Sequence, residues 1–119
     1  HNFSRLEQIP VQLEYDIGST DLSLDVSVSL FRVTQESLRN IQKHAHAKNV
    51  TIQLILENSS LLLTICDDGR GFTPEIVKNM PGLGLKSMQE RMRLINGSIS
   101  YKTQQGQGTV VTARVEMSS

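Results

Sequence analysis

The chain has 119 residues, of which 38% are hydrophobic, 20% charged and 4% aromatic. That balance suits one globular domain with a mostly aliphatic core and excludes disorder, collagen and fibrous repeats. Twelve Lys plus Arg cancel twelve Asp plus Glu, so there is no basic excess for direct nucleic-acid binding through phosphates.

The single cysteine, Cys66, lies in an apolar run; it excludes an internal disulfide and a cysteine-cluster zinc site, suits a reducing compartment and reads as buried packing. No apolar stretch approaches the roughly 20 residues of a membrane span, and the start has no signal-peptide pattern. The piece therefore reads as soluble, with a longer parent free to be membrane-anchored. Charge is uneven along it: residues 1–30 carry five acidic residues against Arg5 alone, whereas residues 78–114 carry six basic ones against Glu90 alone. The C-terminal third is the part suited to a small anion.

In chain order, Ile9, Val11, Leu13, Tyr15 and Ile17 alternate with polar residues, which predicts a strand, and Gly18-Ser19-Thr20-Asp21 predicts a turn. From Leu24 to about Ala47 the period becomes helical, with Leu24, Val28, Phe31, Leu38, Ile41 and Ala45 on one side and Asp21 or Ser23 as the cap. Residues 49–57 and 61–66 predict two antiparallel strands joined at Asn58-Ser59-Ser60. After a short segment at 73–81, Leu85, Met88, Met92 and Ile95 form a second helical stripe ending at Asn96-Gly97. A final hairpin spans 98–103 and 109–117, turning at 104–108. This order predicts an α/β (α+β) two-layer sandwich, a mixed and largely antiparallel sheet with helices on one face.

Four constellations carry chemistry. On the long helix, Glu36, Asn40, Lys43 and His44 are predicted to share a polar face nearly opposite the apolar stripe, a pattern that a merely solvated face also produces. Asp67-Asp68-Gly69-Arg70-Gly71 sets a carboxylate at a strand end, followed by glycines that let the backbone approach a flat ligand; an ordinary Asp-Gly turn has the same wording. Gly82-Leu83-Gly84-Leu85 opens a helix, where free N–H groups and the helix dipole favour an anion. Gly106-Gln107-Gly108-Thr109 enters the last strand.

All four together, in this order, resemble the GHKL superfamily, the ATP-binding fold shared by histidine kinases, Hsp90-type chaperones, type II topoisomerases and MutL-type repair proteins. Residues 30–45 look like its N box, 67–72 its G1 box, 82–85 its G2 box and 106–109 its G3 region. The Phe31-Arg32-Val33 wording leading to Lys43-His44-Ala45, and Gly84-Leu85 continuing to Met88, Glu90 and Arg91, are similar to the nitrate/nitrite-sensor type of bacterial sensor histidine kinase. Leu83 stands where that type often has histidine.

The resemblance implies ATP and Mg²⁺ as cofactors, with Asn40 as metal ligand. Glu36 would orient the metal's water or act as base, and Lys43 and His44 would face the phosphates. Asp67 would accept a hydrogen bond from the adenine amino group; Gly69, Gly71 and Thr109 would shape that pocket, and Gly82, Leu83, Gly84 and Leu85 would wrap the phosphates, with Lys86 a further charge or a plain surface lysine. It also implies a single catalytic domain over 1–119, cytoplasmic, from a homodimeric parent that can be anchored in the inner membrane. The partners would be the parent's own dimerisation and histidine-phosphotransfer domain, whose histidine helix is absent from these residues, and a response regulator. An anti-sigma-factor serine kinase of the same fold is the alternative, and a chaperone or topoisomerase ATPase fragment, whose lid is longer, stands third.

Overall fold

The computed structural model describes residues 10–42, 48–69, 85–104 and 106–117. In chain order they form β1 (Val11–Asp16), α1 (Leu24–Asn40), β2 (Val50–Glu57), β3 (Ser60–Asp67), α2 (Leu85–Arg93), β4 (Gly97–Gln104) and β5 (Gly108–Glu116). The strands make one five-stranded sheet in the order β1-β2-β3-β5-β4. β1 runs parallel to β2 and every other pairing is antiparallel, so the predicted mixed, largely antiparallel sheet is the one observed.

Each element starts and stops for a local reason. Ser23 caps α1, its hydroxyl accepting the Val26 N–H at 3.2 Å, which satisfies one of the donors a helix start leaves unpaired. The β2–β3 hairpin turns on Asn58 and Ser59, both with positive φ (53° and 68°), the twist that a two-residue turn between right-twisted strands requires. The connection is therefore one residue shorter than the sequence suggests, because Ser60 already pairs with Glu57. Beyond α2, Asn96 takes a positive φ of 62° and the chain turns into β4 at Gly97. A Cβ on Gly97 would lie 2.6 Å from the Arg114 carbonyl oxygen, so only glycine fits between β5 and Met92.

Period two puts Ile52, Leu61, Leu63, Ile65, Ala113 and Val115 on the face toward the helices, where all are buried. Onto them pack Val26, Leu30, Val33 and Leu38 of α1, Ile41 at its C-terminal cap, and Met88 and Met92 of α2. The opposite face carries Gln53, Thr64 and Thr112, none of them fully buried. Cys66 lies on that face and is only half-buried, not enclosed as expected, and burial followed by the neighbouring Asp67 charge pushes its thiol pKa up.

The apolar face of α1 is not the predicted one. Leu24, Val28 and Phe31 are 77%, 40% and 53% exposed, whereas Val26, Leu30 and Val33, about half a turn away, are buried. Both sets recur at helical spacing, so periodicity alone cannot choose between them; of the predicted stripe's described residues only Leu38 and Ile41 face the core, and Ala45 lies outside them. Asn40 is consequently on the buried side and not on the solvated face opposite it. Phe31 instead lines, with Leu13 and Tyr15, an apolar groove of about 330 Å³ between α1 and β1.

These assignments give opposite expectations for two residues of α1. Leu38→Ala should cost about 2–5 kcal/mol in urea unfolding through the cavity it leaves, and Phe31→Ala less than about 1 kcal/mol because it is already half in water. Equal losses would contradict the observed helix orientation.

Candidate functional site

The end of β3 is where buried charge collects. Asp67 is paired in register with Val50 of β2 on one side and Thr109 of β5 on the other and is 7% exposed. Its Oδ1 accepts the Gly69 N–H at 2.8 Å. Its Oδ2 is buried and has no hydrogen-bond partner among the described residues. A carboxylate oxygen left so in a low-dielectric setting carries a desolvation cost that a donor on a ligand would relieve. Burial is the chief cause that raises the Asp67 pKa, with the Asp68 charge adding to it, while the Gly69 N–H and the Thr109 backbone pull it down.

β5 reaches this strand end through Gly108. With φ at +100°, a Cβ there would stand 2.0 Å from the Asp67 carbonyl oxygen. No side chain fits, and the two backbones therefore touch beside the carboxylate. Thr109 follows, 4% exposed, its hydroxyl 3.0 Å from that of its cross-strand neighbour Thr103. Asp67, Gly69 and Thr109 are thus brought together at one strand end.

Asn40 is the last residue of α1 and 6% exposed. The Ile41 N–H that follows is shared between the Leu38 and Ser37 carbonyls, and the helix widens into a π-type turn over residues 41–42, a distortion common where helices serve sites. Glu36, one turn earlier, is half-buried and lies 3.9 Å from the exposed Arg39 guanidinium, a contact too long and too solvated to hold it firmly. Lys86 is exposed in the first turn of α2, the helix that opens at Leu85. Lys43, His44, Gly71, Gly82, Leu83 and Gly84 lie outside the described residues. No group of three or more His, Cys, Asp or Glu among the described residues could hold a metal ion.

Sequence reasoning passed over two residues here. Gly108 was visible only as half of a Gly-x-Gly turn, yet its neighbour Gly106, at φ +83°, would meet nothing within 4 Å; backbone proximity separates them, and no local pattern encodes it. Asp68 was visible only as the second acid of its motif.

Residues 25–119 match the family described as histidine kinase-, DNA gyrase B- and HSP90-like ATPases. The chain belongs to that family. Among its relatives are the sensor histidine kinase LiaS of Bacillus subtilis, 39% identical over 106 residues, and the signal transduction histidine-protein kinase/phosphatase UhpB of Salmonella typhimurium, 40% identical over 94. The alignments cover 89% and 79% of this chain but only 29% and 18% of those proteins. The chain thus spans less than a third of the curated relatives it matches. In fold, this ATPase-family domain is similar to the Acinetobacter baumannii histidine kinase AdeS (TM-score 0.75, 24% identity, covering 99% of this chain and 60% of that one). It is also similar to the histidine kinase domain of a blue-light activated kinase from Erythrobacter litoralis (TM-score 0.73, 16% identity, covering 97% and 59%).

Two outcomes follow. Gly108→Ala should cost roughly 3 kcal/mol or prevent folding, whereas Gly106→Ala, strained but unobstructed, should cost about 1 kcal/mol in the same denaturant titration. For pH, a carboxyl whose folded pKa is raised contributes stability below its unfolded pKa and loses it as pH rises through the raised value. Asp67→Asn should therefore compare more favourably with the unaltered chain at pH 7 than near pH 4. The Asp68 carboxyl is held low, chiefly by the Asn49 backbone N–H; its contribution is present at neutral pH and lost on acidification, so Asp68→Asn should show the opposite trend.

Proposed function

We propose that this chain is the catalytic and ATP-binding domain of a two-component sensor histidine kinase, of the nitrate/nitrite-sensor type. The observation that carries the reading is the buried Asp67, one oxygen bonded to the Gly69 N–H and the other without a partner among the described residues. An adenine amino group is a donor suited to that oxygen, and guanine, with a carbonyl at the same place, is not. Thr109, buried behind the carboxylate, and the close backbone of Gly108 leave the flat side of such a pocket free of bulk.

Asn40 would hold Mg²⁺ through its carboxamide oxygen. One neutral oxygen is a poor cage for a six-coordinate ion, so Asn40 fits a metal that arrives with phosphate oxygens and water already bound. Glu36 would hold that water or accept a proton. Lys43 and His44 would meet the phosphates from the same stretch, and Gly71, Gly82, Leu83, Gly84 and Leu85 would close the pocket and the helix start around them. Mg-ATP, when bound, supplies the γ-phosphoryl group for a histidine imidazole. The chain's own part is to bind, orient and neutralise, which is most of what phosphoryl transfer asks of a protein.

The reading extends to the parent. The histidine would sit on its dimerisation domain, outside these 119 residues, in a homodimer that passes phosphate to a response-regulator aspartate. The chain itself would be one cytoplasmic domain. No helix among the described residues is long and apolar enough to cross a membrane, so an anchor in the inner membrane would belong to other parts of the polypeptide.

Calorimetric titration with a non-hydrolysable ATP analogue tests the proposal. Binding should depend on Mg²⁺ and discriminate against the GTP counterpart. Asn40→Ala should remove the Mg²⁺ dependence, and Asp67→Asn, which presents a donor to a donor, should weaken the analogue by roughly tenfold or more. Indifference to Mg²⁺, or equal affinity for both nucleotides, contradicts the respective assignment.

A further inference from the structure

β1 is a terminal strand of the sheet, and no described residue pairs with its outer edge. Its register with β2 runs through all six residues without a bulge. The Val50 N–H donates to the Pro10 carbonyl at 3.0 Å, and this bond sets the phase of the ladder. Gln12 and Glu14 turn their backbone groups toward β2, so Val11, Leu13 and Tyr15 turn their N–H and C=O groups outward. Such an edge invites a further strand, and natural sheets blunt it with lysine, an interior proline, a bulge or a covering element. β1 contains no lysine and no proline.

The same strand borders the largest apolar surface of the described residues. Leu13 and Tyr15 are 63% and 71% exposed and line the groove against Phe31. Leu24 and Val28 extend that wall along α1 at helical spacing. Together these five side chains leave on the order of 500 Å² in water, near the upper end of what a monomer exposes. A standard interface buries about 800 Å² from each partner, so this patch suits a weak, reversible association.

Charge and register decide which strand fits. Pairing β1 with the β1 of a second copy keeps the apolar residues of both on one face only when odd residues oppose odd ones. Leu13 against Leu13 then sets Val11 against Tyr15 and closes about six backbone hydrogen bonds. On the other face it sets Gln12, an amide donor, against Glu14, twice by symmetry. Glu14 already accepts from its own Gln12 at 3.0 Å and from Gln53 at 3.1 Å, so its charge meets the edge surrounded by amides. A register with Glu14 against Glu14 confronts two carboxylates instead, and one with Gln12 against Gln12 leaves Tyr15 without a partner.

We propose that the outer edge of β1 takes a second copy of this chain, the two strands pairing antiparallel about a two-fold axis through Leu13. The axis stands perpendicular to the sheet, so both helical layers stay on one side and the two apolar grooves become one trough. An isologous contact of this kind closes at two copies. The inference does not depend on the nucleotide reading and stands or falls apart from it.

Sedimentation equilibrium of the 119-residue chain from about 5 μM to 1 mM tests it, with amide hydrogen exchange at both ends of the range. We expect a reversible monomer–dimer equilibrium half-complete near roughly 0.1 mM. The Val11, Leu13 and Tyr15 amides, open at the low concentration, should slow by about tenfold or more at the high one. Leu13→Glu, which sets two carboxylates face to face on the axis, should weaken the dimer by about tenfold or more. Gln12→Lys should tighten it about fivefold, and Gln12→Glu should weaken it by a similar factor, since each change acts twice per dimer.

A chain that stays monomeric to 1 mM overturns the proposal. So does a dimer in which those three amides remain open, because it uses another surface, and so does growth beyond two copies, the mark of a head-to-tail contact. Full dimerisation by Leu13→Glu, or shifts of the same sign from the two Gln12 variants, also sinks it. Should Leu13→Glu fail to fold, the Gln12 pair, at an exposed polar position, decides.

Discussion

The contact between Gly108 and the Asp67 carbonyl sets the terms for everything around it. Because a Cβ would come within 2.0 Å of that oxygen, β5 enters the sheet against β3 by backbone alone, and the register Asp67↔Thr109 follows. From that register, residue by residue, Ile65 meets Val111, Leu63 meets Ala113 and Leu61 meets Val115, which is the floor on which α1 and α2 pack. A slip of one residue would turn every one of these side chains to the polar face. The same glycine that leaves room beside the carboxylate thus fixes the core, so the site and the fold share one constraint.

The two neighbouring acids show how environment separates identical side chains. Asp67 is enclosed, one oxygen bonded to the Gly69 N–H, and burial disfavours its charged form. Asp68 is in solvent with three donors, and its charged form is favoured. Adjacent in sequence, they alternate across the strand's end into opposite surroundings, one suited to holding a ligand and the other to holding the chain.

Much of this was legible in the residues. Alternation in β1, the Val, Ile, Leu and Thr content of β2 and β3 and the turn residues between strands gave the strands within a residue or two, and four short motifs in order gave the family. What the sequence did not encode locally was the rotation of α1. Leu24, Val28 and Phe31 make as good a stripe as Val26, Leu30 and Val33, and Ser29 and Ser37 in the buried set look like surface residues. The choice is made by the sheet, whose aliphatic face lies under one side of the helix only. For the same reason Asn40, read as standing on a solvated face, is buried. Which of two glycines in a turn is indispensable, and which of two aspartates is enclosed and which is exposed and bonded to a distant backbone, likewise depends on strands brought together from distant parts of the chain. The roles of Lys43, His44 and the Gly82–Gly84 stretch rest on motif wording alone.

The parallel strand β1 gives the domain a seam. The two hairpins join segments adjacent in sequence, but Val11 pairs with Val50 across α1, and that pairing must await the helix and the neighbouring strand before loop-closure entropy is recovered. Its side chains are almost all exposed, so the strand is held chiefly by its ladder to β2. It lies outside the matched family span, which begins at residue 25. By this argument β1 should join late in folding and open early in native-state exchange, a detachable margin on a sheet whose other four strands, β2, β3, β5 and β4, pair in unbroken order without it.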